Sequence, residues 1–241
     1  MTPTPATLHE VNEQTWPPFA TRRCGPWTIR DGRGGGKRVS AATAHDTPAP
    51  EDLPVAEQAM RALDQRALFM IREGDQALDA LLDAQGYELI DPVNIHLCPI
   101  DALTGALPPR LTTFTLWEPL AIQYDIWAAG GIGPGRIDVM HRAAQPKTSL
   151  LARFDNHVAA AGFVAVHRGV AMVHALEVAA PYRRHALGRH MMAQAAIWAA
   201  GHGASHMSVA CTEANFAANA LYASLGMSLV GHYHYRQSKD H

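Results

Sequence analysis

The chain has 241 residues, 48% of them hydrophobic and 17% charged, with a formal net charge of -2. Those values exclude a disordered or fibrous chain, and the charge argues against nucleic acid as a main partner. No apolar run approaches the roughly 18 residues that a membrane span needs, and the segment Met1 to Gln14 lacks the basic and apolar regions of a signal peptide, so the expected location is cytoplasmic with no membrane partner. Cys24, Cys98 and Cys211 are odd in number and far apart, with no C-x-x-C, and read as free thiols.

In chain order, strand and helix signals alternate, which predicts a mixed α/β fold. After a Pro-containing lead, PWTIR and KRVSAAT bracket DGRGGG and read as a hairpin with a glycine-rich loop. That run is not a phosphate loop, since Asp31 stands five residues before Gly36 and Arg38 follows the lysine. Helical spacing follows at 51–65, ALFMI is a short strand, a second helix spans about 75–85, and YELIDPVNIHLCPI is a strand broken by Pro92. The segment DALTGALPPRLTTF is the expected boundary, which divides the chain into halves at 1–110 and 111–241.

The second half opens with an amphipathic helix in WEPLAIQYDIWAAGG and a further turn or two in GRIDVMHRA. Trp117, Tyr124 and Trp127 share one helical face there. SLLARF and HVAAAGFVAVHR pair around Asp155 and Asn156, GVAMVHALEV is a third strand, and 187–200 is a helix. HMSVACT is a strand, NFAANALYASLG a helix closed by Gly226, and SLVGHYHYR the last strand. Both halves share a loose β-β…α-β-α-β order, consistent with a duplication. His232 and His234 share a strand face without a third ligand, so no metal site is expected.

The segment from Leu176 to Met191 carries the clearest chemistry. A strand enters a short loop, AAPYRRHALGR, within which a helix begins, so backbone N–H groups and the helix dipole converge where an anion is favoured. Arg183, Arg184 and Arg189 add positive charge, and Gly188 with small Ala186 permits close backbone approach. Read alone, the segment is either a phosphate cradle or a helix start with solvated arginines.

Leu-x-Val followed by Arg183-x-x-Ala186-x-Gly188 resembles the R/Q-x-x-G-x-G/A pyrophosphate motif of the GCN5-related N-acetyltransferase (GNAT) superfamily, with alanine at the first glycine. Asn215, Ala218, Leu221-Tyr222 and Leu225-Gly226-Met227 resemble that family's second block, N-x-x-A-x-x-L-Y-x-x-x-G-F, with methionine for phenylalanine. The segment WTIR…GKRVSAAT also looks like the degenerate N-terminal half of two-part members. The resemblance implies an α/β (α+β) fold with a mixed, mostly antiparallel sheet flanked by helices, preceded by a smaller degenerate half, and two central strands that splay to admit pantetheine. It implies acetyl-CoA as acyl donor. The backbone around Leu176 and Val178 would pair with pantetheine, the loop of Arg183, Arg184, His185, Ala186, Leu187, Gly188 and Arg189 would hold the pyrophosphate, and Asn215 and Ala218 would touch the cofactor.

Acetyl transfer to an amine needs a route for the ammonium proton and an acid for the departing thiolate. Tyr222 matches the family tyrosine that faces the thioester sulfur, and a phenol with a pKa of about 10 suits the acid. Some members use a histidine at the position of His174 as base through water, and strand alternation puts His174 and Leu176 on one face and Glu177 on the other. Glu177 is the competing candidate, and Met172 stands where many members carry an acid. The expected reaction is direct N-acetylation of a small-molecule or amino-acid-like primary amine, with a homodimer as a further option. A non-enzymatic acyl-CoA-binding module and acetylation of a protein or peptide N-terminus are the competing readings.

Overall fold

The computed structural model describes residues 2–105 and 107–239. The first half holds α1 (Pro5–Thr15), β1 (Ala20–Cys24), β2 (Trp27–Asp31), α2 (Lys37–Ser40), β3 (Thr43–Ala44), α3 (Leu53–Arg61), β4 (Leu68–Ile71), α4 (Gln76–Ala84), β5 (Glu88–Pro99) and α5 (Asp101–Thr104). The second holds β6 (Thr113–Leu116), α6 (Ala121–Ala129), α7 (Pro134–Arg142), β7 (Lys147–Phe154), β8 (His157–His167), β9 (Val170–Val178), α8 (Leu187–Ala200), β10 (His206–Thr212), α9 (Phe216–Ser224) and β11 (Ser228–Gln237).

One mixed, mostly antiparallel sheet of eight strands runs in the order β4-β11-β5-β10-β9-β8-β7-β6, and β1-β2-β3 form a small second sheet. Strands from both sides of residue 110 interleave in the large sheet: β5 lies between β10 and β11, while β11 lies between β4 and β5. Each half therefore supplies a strand to the other. Two units share an order, β3-α3-β4-α4-β5 and β9-α8-β10-α9-β11; β9 and β10 pair in parallel, and Ala42, just before β3, makes an isolated parallel bridge to Phe69 of β4.

Small residues decide how closely the layers approach. Ala159, Ala160 and Ala161 are fully buried in β8. A Cβ on the next residue, Gly162, would come within 3.1 Å of the Met191 Cε of α8. One core lies between the sheet and α8, built on Met191, Met192 and Ala195, and a second lies on the opposite face around Trp127, Phe163 and Trp16.

Three local readings are corrected. Residues 37–40 form helix α2, so the hairpin partner of β2 is β1 across Gly25 and Pro26, and β2 meets only the two residues of β3 beyond the glycine loop. Gly36, at φ +94°, turns the chain into α2, which buries Val39. β5 runs unbroken through Pro92, because the register against β11 slips between Tyr233 and Tyr235 and proline needs no ladder donor at a bulge. The lead is α1, capped by the Thr4 hydroxyl, which accepts from the Thr7 amide. Its buried face is Leu8, Val11, Asn12 and Thr15, and the two polar members hide the helical period.

Candidate active site

The site begins where two parallel strands part. β9 and β10 pair from Val170 and His206 to Val173 and Val209, and beyond that point β9 continues to Val178 and β10 to Thr212 without pairing each other. A cavity of about 430 Å³ occupies the gap, lined by Val173, Leu176, Ala210, Cys211, Asn215, Ala218 and Tyr222 among others. The β9 edge at Leu176 and Val178 faces this gap while the opposite edge pairs with β8. Unpaired strand edges offer backbone hydrogen bonds to an extended ligand.

The loop after β9 opens with a short 3-10 turn at Ala180–Tyr182, and Arg184 and Ala186 then take φ of +70° and +58° before α8 starts. Alanine thus adopts the left-handed conformation expected of the motif glycine, at a cost of roughly 1–2 kcal/mol. Ala186 supplies no side-chain cap, and the first turn of α8 contains no acid, so no side chain takes its forward N–H groups. Arg184 is exposed and has no ionic partner among the described residues. Arg183 instead turns back, donating to the Val178 carbonyl at 3.1 Å and pairing with Glu177 at 3.1 Å. Arg189 donates to the Ser224 hydroxyl at 2.8 Å and so ties α8 to α9. His185 stacks on Phe154 with ring centroids 4.1 Å apart, and Leu187 is buried in the core. A Cβ at Gly188 would lie 2.9 Å from Leu221 Cδ2, so any side chain there requires Leu221 to shift.

On the far wall, Asn215 caps α9, its Oδ1 accepting from the Ala218 amide at 3.1 Å. Tyr222 lines the cavity, and its hydroxyl has no hydrogen-bond partner among the described residues. Burial, reinforced by Cys211, raises its pKa above the ordinary phenol value, so the proton stays on across the neutral range. Burial also pushes the Cys211 thiol up to about 11, which removes it as a nucleophile. Sequence reading passed over Asn219, whose Oδ1 accepts from Asn94 at 3.0 Å and from His96 Nε2 at 3.1 Å while its amide nitrogen donates to the Thr212 carbonyl. This residue joins β5, which comes from the first half, to the wall that carries Tyr222. Only the tertiary pairing reveals it.

The face assignment on β9 is corrected. Ala175 takes φ +50°, and the register against β8 slips between Ala161 and Phe163. That extra residue inverts the alternation. Leu176 and Val178 therefore join the core under α8, whereas His174 stacks on Trp16 at 5.0 Å and Glu177 packs against Gly130, both toward the other face. Glu177 is not among the residues that line the cavity. His174 lines it, but Arg38 Nη1 donates to its Nδ1 at 3.0 Å, and since Thr15 donates to the Val11 carbonyl, the His174 Nε2–H donates to Thr15 at 2.9 Å. Its one lone pair is taken. Burial first, and then the Arg38 charge, holds its pKa well below the ordinary 6.5.

The first half also contributes to the lining of the cavity. Gly35, Gly36, Lys37, Arg38 and Asp91 line it, joined by Arg136 of α7 and by Tyr233 and Tyr235 of β11. Lys37 pairs with Asp91. Among the described residues no cluster of three or more His, Cys, Asp or Glu side chains is arranged to hold a metal ion; His234 is engaged with Asp79 at 2.9 Å. No described helix is long and apolar enough to cross a membrane.

The fold is that of an α/β protein with a split mixed sheet that opens onto an uncapped, arginine-flanked helix start. Residues 117–227 match the model of the acetyltransferase (GNAT) family. Among solved structures, the chain is similar to a GCN5-related N-acetyltransferase from Kribbella flavida, with 17% identity, a TM-score of 0.73, and 100% of this chain and 98% of that one covered. It is equally similar in fold to a functionally unknown conserved protein from Staphylococcus epidermidis, at 9% identity and a TM-score of 0.73, over 97% of this chain and 100% of that one. A tandem GNAT protein from the clavulanic acid biosynthesis pathway matches at 16% identity and a TM-score of 0.62, covering 99% of this chain and 89% of the other. At these identities the likeness is one of fold, and it extends over both halves. No curated protein matches the chain.

Proposed function

We propose that the chain is an N-acetyltransferase that moves acetyl from acetyl-CoA to the primary amine of a small-molecule or amino-acid-like acceptor. The observation that carries this reading is the cavity itself, whose lining brings together Leu176 on the free edge of β9, Tyr222, and the polar groups of Lys37, Arg38, Asp91 and Arg136. The pyrophosphate is placed at the start of α8, on the N–H groups that Ala186 leaves uncapped and beside Arg184, and Arg183 braces the loop through Glu177. Pantetheine extends along Leu176 to Val178, with Asn215 and Ala218 on the opposing wall.

The acceptor enters from the side lined by Lys37, Arg38, Asp91 and Arg136. Its neutral nitrogen attacks the acetyl carbonyl carbon; the C–N bond forms, the C–S bond breaks, and the sulfur takes a proton from the Tyr222 phenol. The nitrogen's surplus proton leaves to water, and solvent restores the phenol. His174 does not serve as base, because its lone pair is bonded to Arg38, and Glu177 serves the loop. The activity therefore rises with pH as the acceptor ammonium deprotonates, without a histidine limb near pH 6–7.

The test is release of free CoA from acetyl-CoA by the purified chain across a panel of primary amines. Release above background for at least one amine is expected, and Arg184→Glu should weaken acetyl-CoA binding about 100-fold by reversing the charge at the phosphates. Tight acetyl-CoA binding with no turnover of any amine would replace this reading with a binding module.

A further inference from the structure

We propose that the amine acceptor carries an anionic group, a carboxylate or a phosphate, and that Arg38, with Arg136 beside it, binds that group. The proposal rests on the transfer reading for the role of the cavity, and on the charge of its lining for the rest. Of the three cations there, Lys37 is paired with Asp91, the one carboxylate that lines the cavity. Neither Arg38 nor Arg136 meets a carboxylate among the described residues. The half-buried Arg38 guanidinium is partly withdrawn from bulk water and lacks a counter-charge that a ligand can supply, while the exposed Arg136 adds charge beside it.

Arg38 is also aimed. Its Nη1 donates to Asn12 Oδ1 at 3.1 Å and to His174 Nδ1 at 3.0 Å. Arginine has five N–H donors, so the Nε and Nη2 groups keep three, in the fork geometry that suits a carboxylate or phosphate. Both anchors are neutral: His174 stays uncharged because it is buried against Arg38, so the pair orients the guanidinium without cancelling its charge. Arg136 lies over Gly36, where a Cβ would stand 3.2 Å from its Nε and where φ is +94°. Glycine there lets the second guanidinium rest against the loop that carries the first. His174 and Asn12 are thus positioning residues for the acceptor side. The reacting end of the acceptor then points along the cavity toward Tyr222.

The experiment uses the full chain and matched acceptors, L-amino acids with their amides and O-phosphoethanolamine with ethanolamine. CoA release gives kcat/KM, and ligand-observed NMR in the presence of CoA gives binding. The wild type should favour anionic members by about 10-fold or more, and Arg38→Met should erase that preference by lowering kcat/KM for anionic members about 10-fold more than for their neutral partners. The better of the carboxylate and phosphate arms identifies the group. Arg136→Gln, at an exposed position, should cut the preference by about threefold, and it decides the question if Arg38→Met no longer binds CoA. Equal use of charged and neutral acceptors, or an equal loss on both in Arg38→Met, overturns the proposal and leaves acetyl transfer standing. Anionic members that bind the wild type but not Arg38→Met, with no amine turned over, support the anion site and sink the transfer reading. Absence of both turnover and binding overturns the anion site.

Discussion

The two β-α-β units of this chain share an order of elements and differ in what fills the join between their first two strands. Between β9 and β10 the join stays open, and α8 begins with no side-chain cap. Between β3 and β4 it is shut: the Ala42 amide donates to the Leu68 carbonyl at 2.8 Å, the Met70 amide to the Ala42 carbonyl at 2.9 Å, and Arg72 Nη2 to the Ala44 carbonyl at 3.0 Å. Trp27 and Phe69, both fully buried with ring centroids 5.0 Å apart, pack beside it. Before α3 the loop carries Glu51 and Asp52 where α8 has arginines, and Asp52 accepts from the Ala49 amide at 2.8 Å. The strand-loop-helix path alone does not make an anion site. Both α3 and α8 start without a side-chain cap, so the units differ in flanking charge and in the unfilled split, and the proposed anion site rests on those two features.

Emptying the closed unit should cost stability without creating a second site. Trp27→Ala removes a fully buried indole that also donates to the Asp52 carbonyl at 3.0 Å, so a loss of about 3–5 kcal/mol is expected in chemical denaturation. Acetyl-CoA stoichiometry should stay unchanged in the surviving fold, because the acids before α3 remain.

In the open unit, Tyr222→Phe should lower kcat about 100-fold, the low end of general-acid contributions, with acetyl-CoA affinity held within about twofold. A parallel loss of affinity and rate would make Tyr222 a packing residue only.

Acid pH should weaken the contact between α1 and the sheet. The pKa of His9 is lowered to about 4, chiefly by burial, and that of His174 is well below 6.5. Both folded-state values lie below the unfolded one, so stability is full above pH about 6.5 and falls as pH drops below it, by at most about 1.4 kcal/mol per pH unit for each histidine. Thermal unfolding from pH 7 to pH 4 measures this slope, which His174→Phe should reduce.

The smallest expected effects lie in the phosphate turn. Ala186→Gly should stabilise the chain by about 0.5–1 kcal/mol by relieving positive φ, while Gly188→Ala should cost about 1 kcal/mol against Leu221. Denaturation midpoints distinguish the two signs.

Much of the second half was legible because each element is locally specified. β7 and β8 meet at Asp155 and Asn156, which take the positive φ their side chains tolerate, and α9 ends at Gly226 with φ +76°. The turn from Arg183 to Gly188 was readable for the same reason. What escaped depends on partners distant in sequence. The bulge at Ala175, which exchanged the faces of Leu176 and Glu177, has no glycine or proline on β9 itself, and Gly162 opposite it lies on β8. Arg38 lay in a segment read as a hairpin, and its anchors stand 26 and 136 residues away in sequence. The interleaving of β5 and β11 is set by strand pairing alone, and their patterns fit several neighbours equally well.

The central claim, that one unit binds the acyl donor and its counterpart does not, is tested most directly by calorimetric titration of the full chain with acetyl-CoA. One equivalent should bind, Arg184→Glu should weaken it about 100-fold, and Glu51→Gln in the closed unit should leave it unchanged. Two equivalents, or an affinity that responds to Glu51→Gln and ignores Arg184→Glu, would contradict the account.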